Sequence, residues 1–239
     1  SGMAEVLYTV HKQCPICNSQ IEVTKVRSRL TVVQRDSDFC VHYRELNPYY
    51  YSIWVCNHCG YAAQDTYFND ISSAAVGKIK EFLAGRKVNI NYSGQRTWQQ
   101  AVETYKLAIF YAELIHSPPS RIAGLYLKLG WLFREAGNQE LEIMALNKAR
   151  ENYEQALLKE RMPIGNMSEV TLEYLIGELL RRTGRVEEAL VYLGRLVSNP
   201  KARSEKKILE MAREAWQAAR DSKQQIAATR QEATKVNEN

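Results

Sequence analysis

The sequence predicts an α+β fold, mostly α, in which a small metal-pinned β module leads into a domain of helical repeats. Three observations predict it. Two Cys-x-x-Cys turns, Cys14-Pro15-Ile16-Cys17 and Cys56-Asn57-His58-Cys59, bracket the first part of the chain. Between them short stretches alternate and are rich in Val, Thr and Tyr, as half-buried strands are. From Asp70 onward apolar residues recur at helical spacing, and from Thr97 the helices repeat one another.

Each cysteine turn places two thiols where both can face one ion. Asn18 and Gly60 follow the second cysteines, and both residue types tolerate positive φ, which turns backbone N–H groups toward sulfur. Two such turns brought together give a closed tetrahedral thiolate set of Cys14, Cys17, Cys56 and Cys59, the preferred geometry of one structural zinc. The competing reading is a pair of redox dithiols or chance cysteines. The 38 residues between Cys17 and Cys56 exceed ordinary ribbon spacing, so an insertion or extended hairpin must separate the turns. Cys40, the fifth cysteine, fits neither turn and reads as a small buried hydrophobe. His58 reads as a solvent-facing turn residue, and His11 and His42 lack a partner at ligand spacing. His116 stands at a helix end, where an imidazolium suits the dipole.

In chain order, Val6 to Val10 reads as a strand. Ile21 to Gln34 changes phase near Lys25–Val26, which predicts a bulge or two strands. Asn47-Pro48 marks a turn, and Tyr49 to Val55 reads as a β run delivering Cys56. Ile71, Ala75, Ile79, Phe82 and Leu83 share a helical face, with Asp70 or Ser72 as N-cap and Gly85 as stop. Residues 85–96 are polar and read as a connector. Thr97-x-x-Gln100 is a capping box opening the next helix. Pro118-Pro119 ends the loop after it, with Ser120 capping a helix to Gly137. A long helix follows over 139–161, then one from Ser168 to Gly184, then Val186 to Val197, and a last stripe through Ala219. This divides the chain into residues 1–84 (zinc-binding β module with a trailing helix), 97–220 (helical repeats) and 221–239 (a frayed or disordered tail).

The repeats resemble the tetratricopeptide pattern. Leu129-Gly130, Phe133, Gly137, Ala149, Tyr153 and Ala156 form one unit; Ile176-Gly177, Leu180, Gly184, Ala189, Leu193 and Leu196 form another. A small residue on one helix receives a bulky one from its neighbour. Gly137 to Ala149 is seven residues longer than Gly184 to Ala189, so the first unit has an overlong second helix.

Composition is that of a globular protein, 45% hydrophobic and 25% charged, with no apolar run long enough to span a membrane. Ser1-Gly2 before Met3 reads as an expression remnant. No export segment is evident, and five cysteines used as ligands suit a reducing cytoplasm. The net charge of +5 is spread evenly, with 11 basic and 8 acidic groups in residues 1–96 and 21 and 19 beyond, which is no nucleic-acid footprint.

Taken together, the two cysteine turns, Asn47-Pro48-Tyr49-Tyr50-Tyr51 before the second, Cys59-Gly60-Tyr61-Ala62 after it and the helices beyond resemble the bacterial domain of unknown function 2225 family. The resemblance implies an N-terminal metal-binding part and C-terminal tetratricopeptide-like helices, and it implies no known activity.

No serine elbow, phosphate loop or H-E-x-x-H pattern is present, and four thiolates would close the zinc shell, so no enzyme is expected. The expected function is a scaffold that binds a protein or peptide. Aligning the repeats on Gly130 and Gly177 puts Leu127, Trp131 and Arg134 beside Tyr174, Glu178 and Arg181 on a concave surface suited to a carboxylate-bearing peptide, unless Trp131 is simply core. The alternative is a zinc-ribbon nucleic-acid binder using Tyr49-Tyr50-Tyr51 with Arg27, Arg29, Arg35 and Arg44, although those tyrosines read better as packed and the arginines as solvated.

Overall fold

The computed structural model describes residues 6–239; Ser1, Gly2 and Met3 lie outside the described residues. Contacts divide the chain into two units. The first takes the chain up to Asp36 and again from Cys40 to Ala145; the second takes Ser37–Phe39 and Leu146–Asn239.

In the first unit three antiparallel hairpins follow one another: β1 (Leu7–Gln13) with β2 (Gln20–Val26), β3 (Val32–Arg35) with β4 (Val41–Tyr43), and β5 (Ile53–Val55) with β6 (Ala62–Gln64). The phase change after Lys25 resolves into two strands, β2 and β3, and the β3–β4 register also slips between Val32 and Gln34. The second hairpin is the insertion that the long cysteine spacing demanded. The Tyr run is less extended than expected. Pro48–Tyr51 forms a 3-10 turn, because Asn47 Oδ1 accepts from the Tyr49 N–H at 3.0 Å and Pro48 has the fixed φ a helical start needs.

Helix α1 (Ser73–Leu83) starts from Ser72, whose Oγ accepts from Ala75 N–H. Helix α2 (Trp98–Leu114) has both halves of its capping box, Thr97 with Gln100. Helix α3 (Pro119–Glu135) begins one residue before the expected cap. Pro119 is itself the first helical residue, where its missing N–H costs nothing. The first and third hairpins and α1–α3 share one core: Ile16, Ile21, Ile53 and Phe68 pack with Ile79, Tyr105, Leu132 and Phe133. The polar connector contributes Arg96 to it. That guanidinium is buried against the carbonyls of Tyr50 and Ile53, at 2.9 and 2.8 Å, and burial pulls its pKa down to about 10.

Helix α4 (Gln139–Lys159) runs from the end of the first unit into the second, which continues with α5 (Glu169–Arg182), α6 (Val186–Ser198) and α7 (Lys206–Glu238). Ser168 caps α5 through Thr171 N–H. At Gly177 α5 and α6 approach tightly: a Cβ there would stand 2.5 Å from Leu193 Cδ2. Helix α7 continues to Glu238, past the fraying expected from Asp221, although its side chains are exposed from Lys223 on. Its tail is made of good helix formers, so backbone propensity carries it where packing stops. Among the described residues no helix is long and apolar enough to cross a membrane.

Candidate metal centre

Each cysteine pair sits at the tip of a hairpin, the first between β1 and β2, the second between β5 and β6. The two tips are built alike. Cys14 N–H donates to Ser19 O and Asn18 N–H to Cys14 O, both at 2.9 Å; Cys56 N–H donates to Tyr61 O and Gly60 N–H to Cys56 O, both at 2.8 Å. The turns close with Asn18 at φ 62° and Gly60 at φ 87°. Gly60 is constrained by crowding as well, since a Cβ there would lie 3.2 Å from a Val88 methyl.

The tips bring all four sulfurs within 4.8 Å of one another. Cys14 Sγ lies 3.8 Å from Cys59 Sγ, and Cys17 Sγ 3.6 Å from Cys56 Sγ, far beyond a disulfide bond. Backbone donors back the sulfurs: Ile16 N–H points at Cys14 Sγ and Cys59 N–H at Cys56 Sγ, each at 3.4 Å. Such donors stabilise the thiolate form. Crowded thiols ionise one at a time. Cys56 is driven well below the usual thiol range by hydrogen bonds from Cys14 and Cys59. Sharing with Cys56 pushes Cys14 up to about 12, and contact with Cys14 and Cys56 raises Cys59. The four residues can hold one metal ion, which would replace this shared-proton arrangement. Cys14 and Cys56 are fully buried, whereas Cys17 is exposed.

His58 and His11 are exposed. His42 and Cys40 belong to a second cluster that spacing did not reveal, in which ligand atoms of Asp36, Cys40 and His42 lie within 4.8 Å. Asp36 is already engaged, since its Oδ2 meets His42 Nε2 at 2.6 Å and Arg134 Nη1 at 2.9 Å. The sequence clue was the close spacing of these three residues across one hairpin turn, which only the register of β3 on β4 makes meaningful.

The six candidate partner-binding residues fall three to a unit. In the first unit Leu127 is buried, and Trp131 is buried with its ring 4.9 Å from that of Tyr49. Arg134 is held by Asp36 and by Glu142 at 3.0 Å. In the second unit Tyr174 and Glu178 are buried, and Arg181 Nε donates to Glu178 Oε1 at 2.5 Å. The three consecutive tyrosines are taken up internally. Tyr49 Oη accepts from Val41 N–H, Tyr50 Oη donates to Glu135, and Tyr51 Oη accepts from Arg96 N–H. Arg27, Arg29, Arg35 and Arg44 are exposed.

Fold and site define an α+β protein, mostly helical, whose paired hairpin tips form a four-cysteine centre able to hold a metal. The chain belongs to the family described as uncharacterized protein conserved in bacteria (DUF2225), whose model matches residues 7–219. No curated protein and no solved structure matches it.

Proposed function

We propose that the protein is a non-catalytic scaffold, stabilised by one structural zinc, that binds a protein or peptide through tetratricopeptide-like helical pairs. The observation that carries the reading is the sulfur geometry. A tetrahedral site with Zn–S bonds of about 2.3 Å requires sulfurs about 3.8 Å apart, and two of the pairs stand at 3.8 and 3.6 Å. Four thiolates leave no coordination position for substrate or activated water, so the metal serves the fold. The close approach of Gly177 to Leu193 supports the helical-pair reading, because it is the small-receives-bulky contact that such repeats use. The same carboxylate-and-arginine chemistry that suits a peptide is present on α5. A nucleic-acid role is disfavoured by the engagement of all three tyrosines.

Elemental analysis of protein purified without chelator tests the metal, with one zinc per chain expected. Cys14→Ser, Cys17→Ser, Cys56→Ser or Cys59→Ser should each lose it, while Cys40→Ser keeps it. Metal-free protein, or equal loss in the Cys40 variant, would overturn the ligand set. For the scaffold, affinity capture with and without nuclease, followed by titration of the purified partner, is decisive. A protein partner should change affinity modestly between about 50 and 200 mM salt, where several phosphate contacts would cost about a thousandfold. A nuclease-sensitive partner with the steep slope would replace this reading with the nucleic-acid one.

A further inference from the structure

The second unit contains three residues from the turn of the inserted hairpin, Ser37, Asp38 and Phe39, and they lie on α5. Tyr174 Oη donates to the Ser37 carbonyl at 2.6 Å. Arg182 Nη2 donates to Ser37 Oγ at 2.7 Å, and its Nε stands 3.9 Å from the carboxylate of Asp38, which is completely buried. The Phe39 ring lies 5.7 Å from that of Tyr174. A backbone carbonyl and an aromatic ring are thus met by Tyr174, and a hydroxyl and a carboxylate by Arg182. Behind Tyr174 lies buried Glu178, whose Oε2 is 3.4 Å from Tyr174 Oη and whose Oε1 accepts from Arg181 at 2.5 Å.

The occupant is strained. Phe39 has φ 75°, a conformation that bulky residues rarely adopt and that persists only where surroundings hold it.

We propose that this face of α5 is a seat for a peptide turn carrying an aspartate followed by an aromatic residue, and that Ser37-Asp38-Phe39 is the resident ligand such a partner displaces. The proposal rests on the scaffold reading above and names the chemistry of the partner it binds. Arg182 pairs with the incoming carboxylate, Tyr174 reads the backbone and packs at a tilt against the ring, and the tethered resident sets the affinity a partner must exceed.

The test uses the full-length chain carrying Asp38→Ala and Phe39→Gly. The pair deletes the resident's carboxylate and ring, and glycine accepts the positive φ. A fluorescent hexapeptide with the sequence of residues 34–39 is titrated by anisotropy. The double variant should bind it at least tenfold more tightly than the wild-type chain. Adding Arg182→Ala should remove most of that binding, as should replacing the peptide's final two residues by Asn and Ala. Equal affinity in wild type and double variant, or no binding by a variant with unchanged circular dichroism, overturns the proposal. If the double variant unfolds, hydrogen exchange on the wild-type chain with excess hexapeptide decides instead. Faster exchange at residues 37–39 with α5 still protected supports displacement, and unchanged exchange there refutes it. Zinc content and the salt dependence of a captured partner do not depend on these outcomes, so the scaffold reading can stand or fall separately.

Discussion

Asp36 shows how a single side chain in the inserted hairpin is coupled to its unit. Burial opposes ionisation, but hydrogen bonds from His42, Gln34 and Arg134 outweigh it and hold the carboxyl at about 2. Because the folded pKa lies below the unfolded value of about 3.9, the stabilisation is fully present above about pH 4. It is lost as pH falls from there through about 2. Asp36→Asn should therefore lower stability at pH 7 by about 1 kcal/mol, a figure discounted for partial solvent screening. Denaturant titrations at several pH values should show the gap to wild type narrowing between pH 4 and 2. A gap of constant size would mean that the side chain's shape, not its charge, matters. The close spacing of Asp36 and His42 did not by itself announce this pair, because cross-strand register depends on the bulge in β3 and not on local pattern. The four clustered cysteines were legible for the opposite reason: their geometry is set within five-residue turns, and Asn18 and Gly60 have the positive φ the turns require.

At the scale of elements, local chemistry was readable wherever a cap or stop acts on its own helix, as Ser72, Thr97 with Gln100, and Ser168 do. It misled where a turn and a strand compete for the same residues. Tyr49 to Tyr51 have strand propensity, yet Asn47 and Pro48 impose a 3-10 turn, and the strand keeps only Ile53–Val55. The α5–α6 contact offers the sharper test. Ala at position 177 gains helix propensity worth about 1 kcal/mol but drives its Cβ to 2.5 Å from a fully buried leucine. Overpacking of that kind costs about 1–3 kcal/mol, so Gly177→Ala should lower the thermal midpoint by a few degrees. Leu193→Ala destabilises alone by leaving a cavity, but in the double variant the added methyl finds the vacated space. The two changes should therefore be less costly together than their sum. Additive effects would mean the helices separate rather than interlock.

Composition suggested a β module leading through a polar connector into helices, and contacts group that connector with the hairpins and the first helices. Residues 85–96 lie inside the first unit, and Arg96 from that stretch is buried among the carbonyls of the Tyr run. A buried arginine satisfied by backbone acceptors leaves no mark in a sequence, since the same residue reads as solvated in any polar stretch. The consequence concerns the metal. Cys14 and Cys56 belong to the same core as Tyr105, Leu132 and Phe133, so the centre supports α2 and α3 as well as the hairpins. Chelation should then do more than melt a small β module. In hydrogen exchange, removing the metal should strip protection from β1, β2, β5 and β6 and also from the middle of α2 and the end of α3. The amides of α5 and α6, which have their own buried residues in Leu175, Ile176, Leu179 and Leu193, should stay protected. Loss confined to the hairpins would show that α2 and α3 hold their packing without the centre. Loss spreading evenly through α5 and α6 would show that the two units unfold as one, and that a metal at the four cysteines stabilises the whole chain rather than the part that holds it.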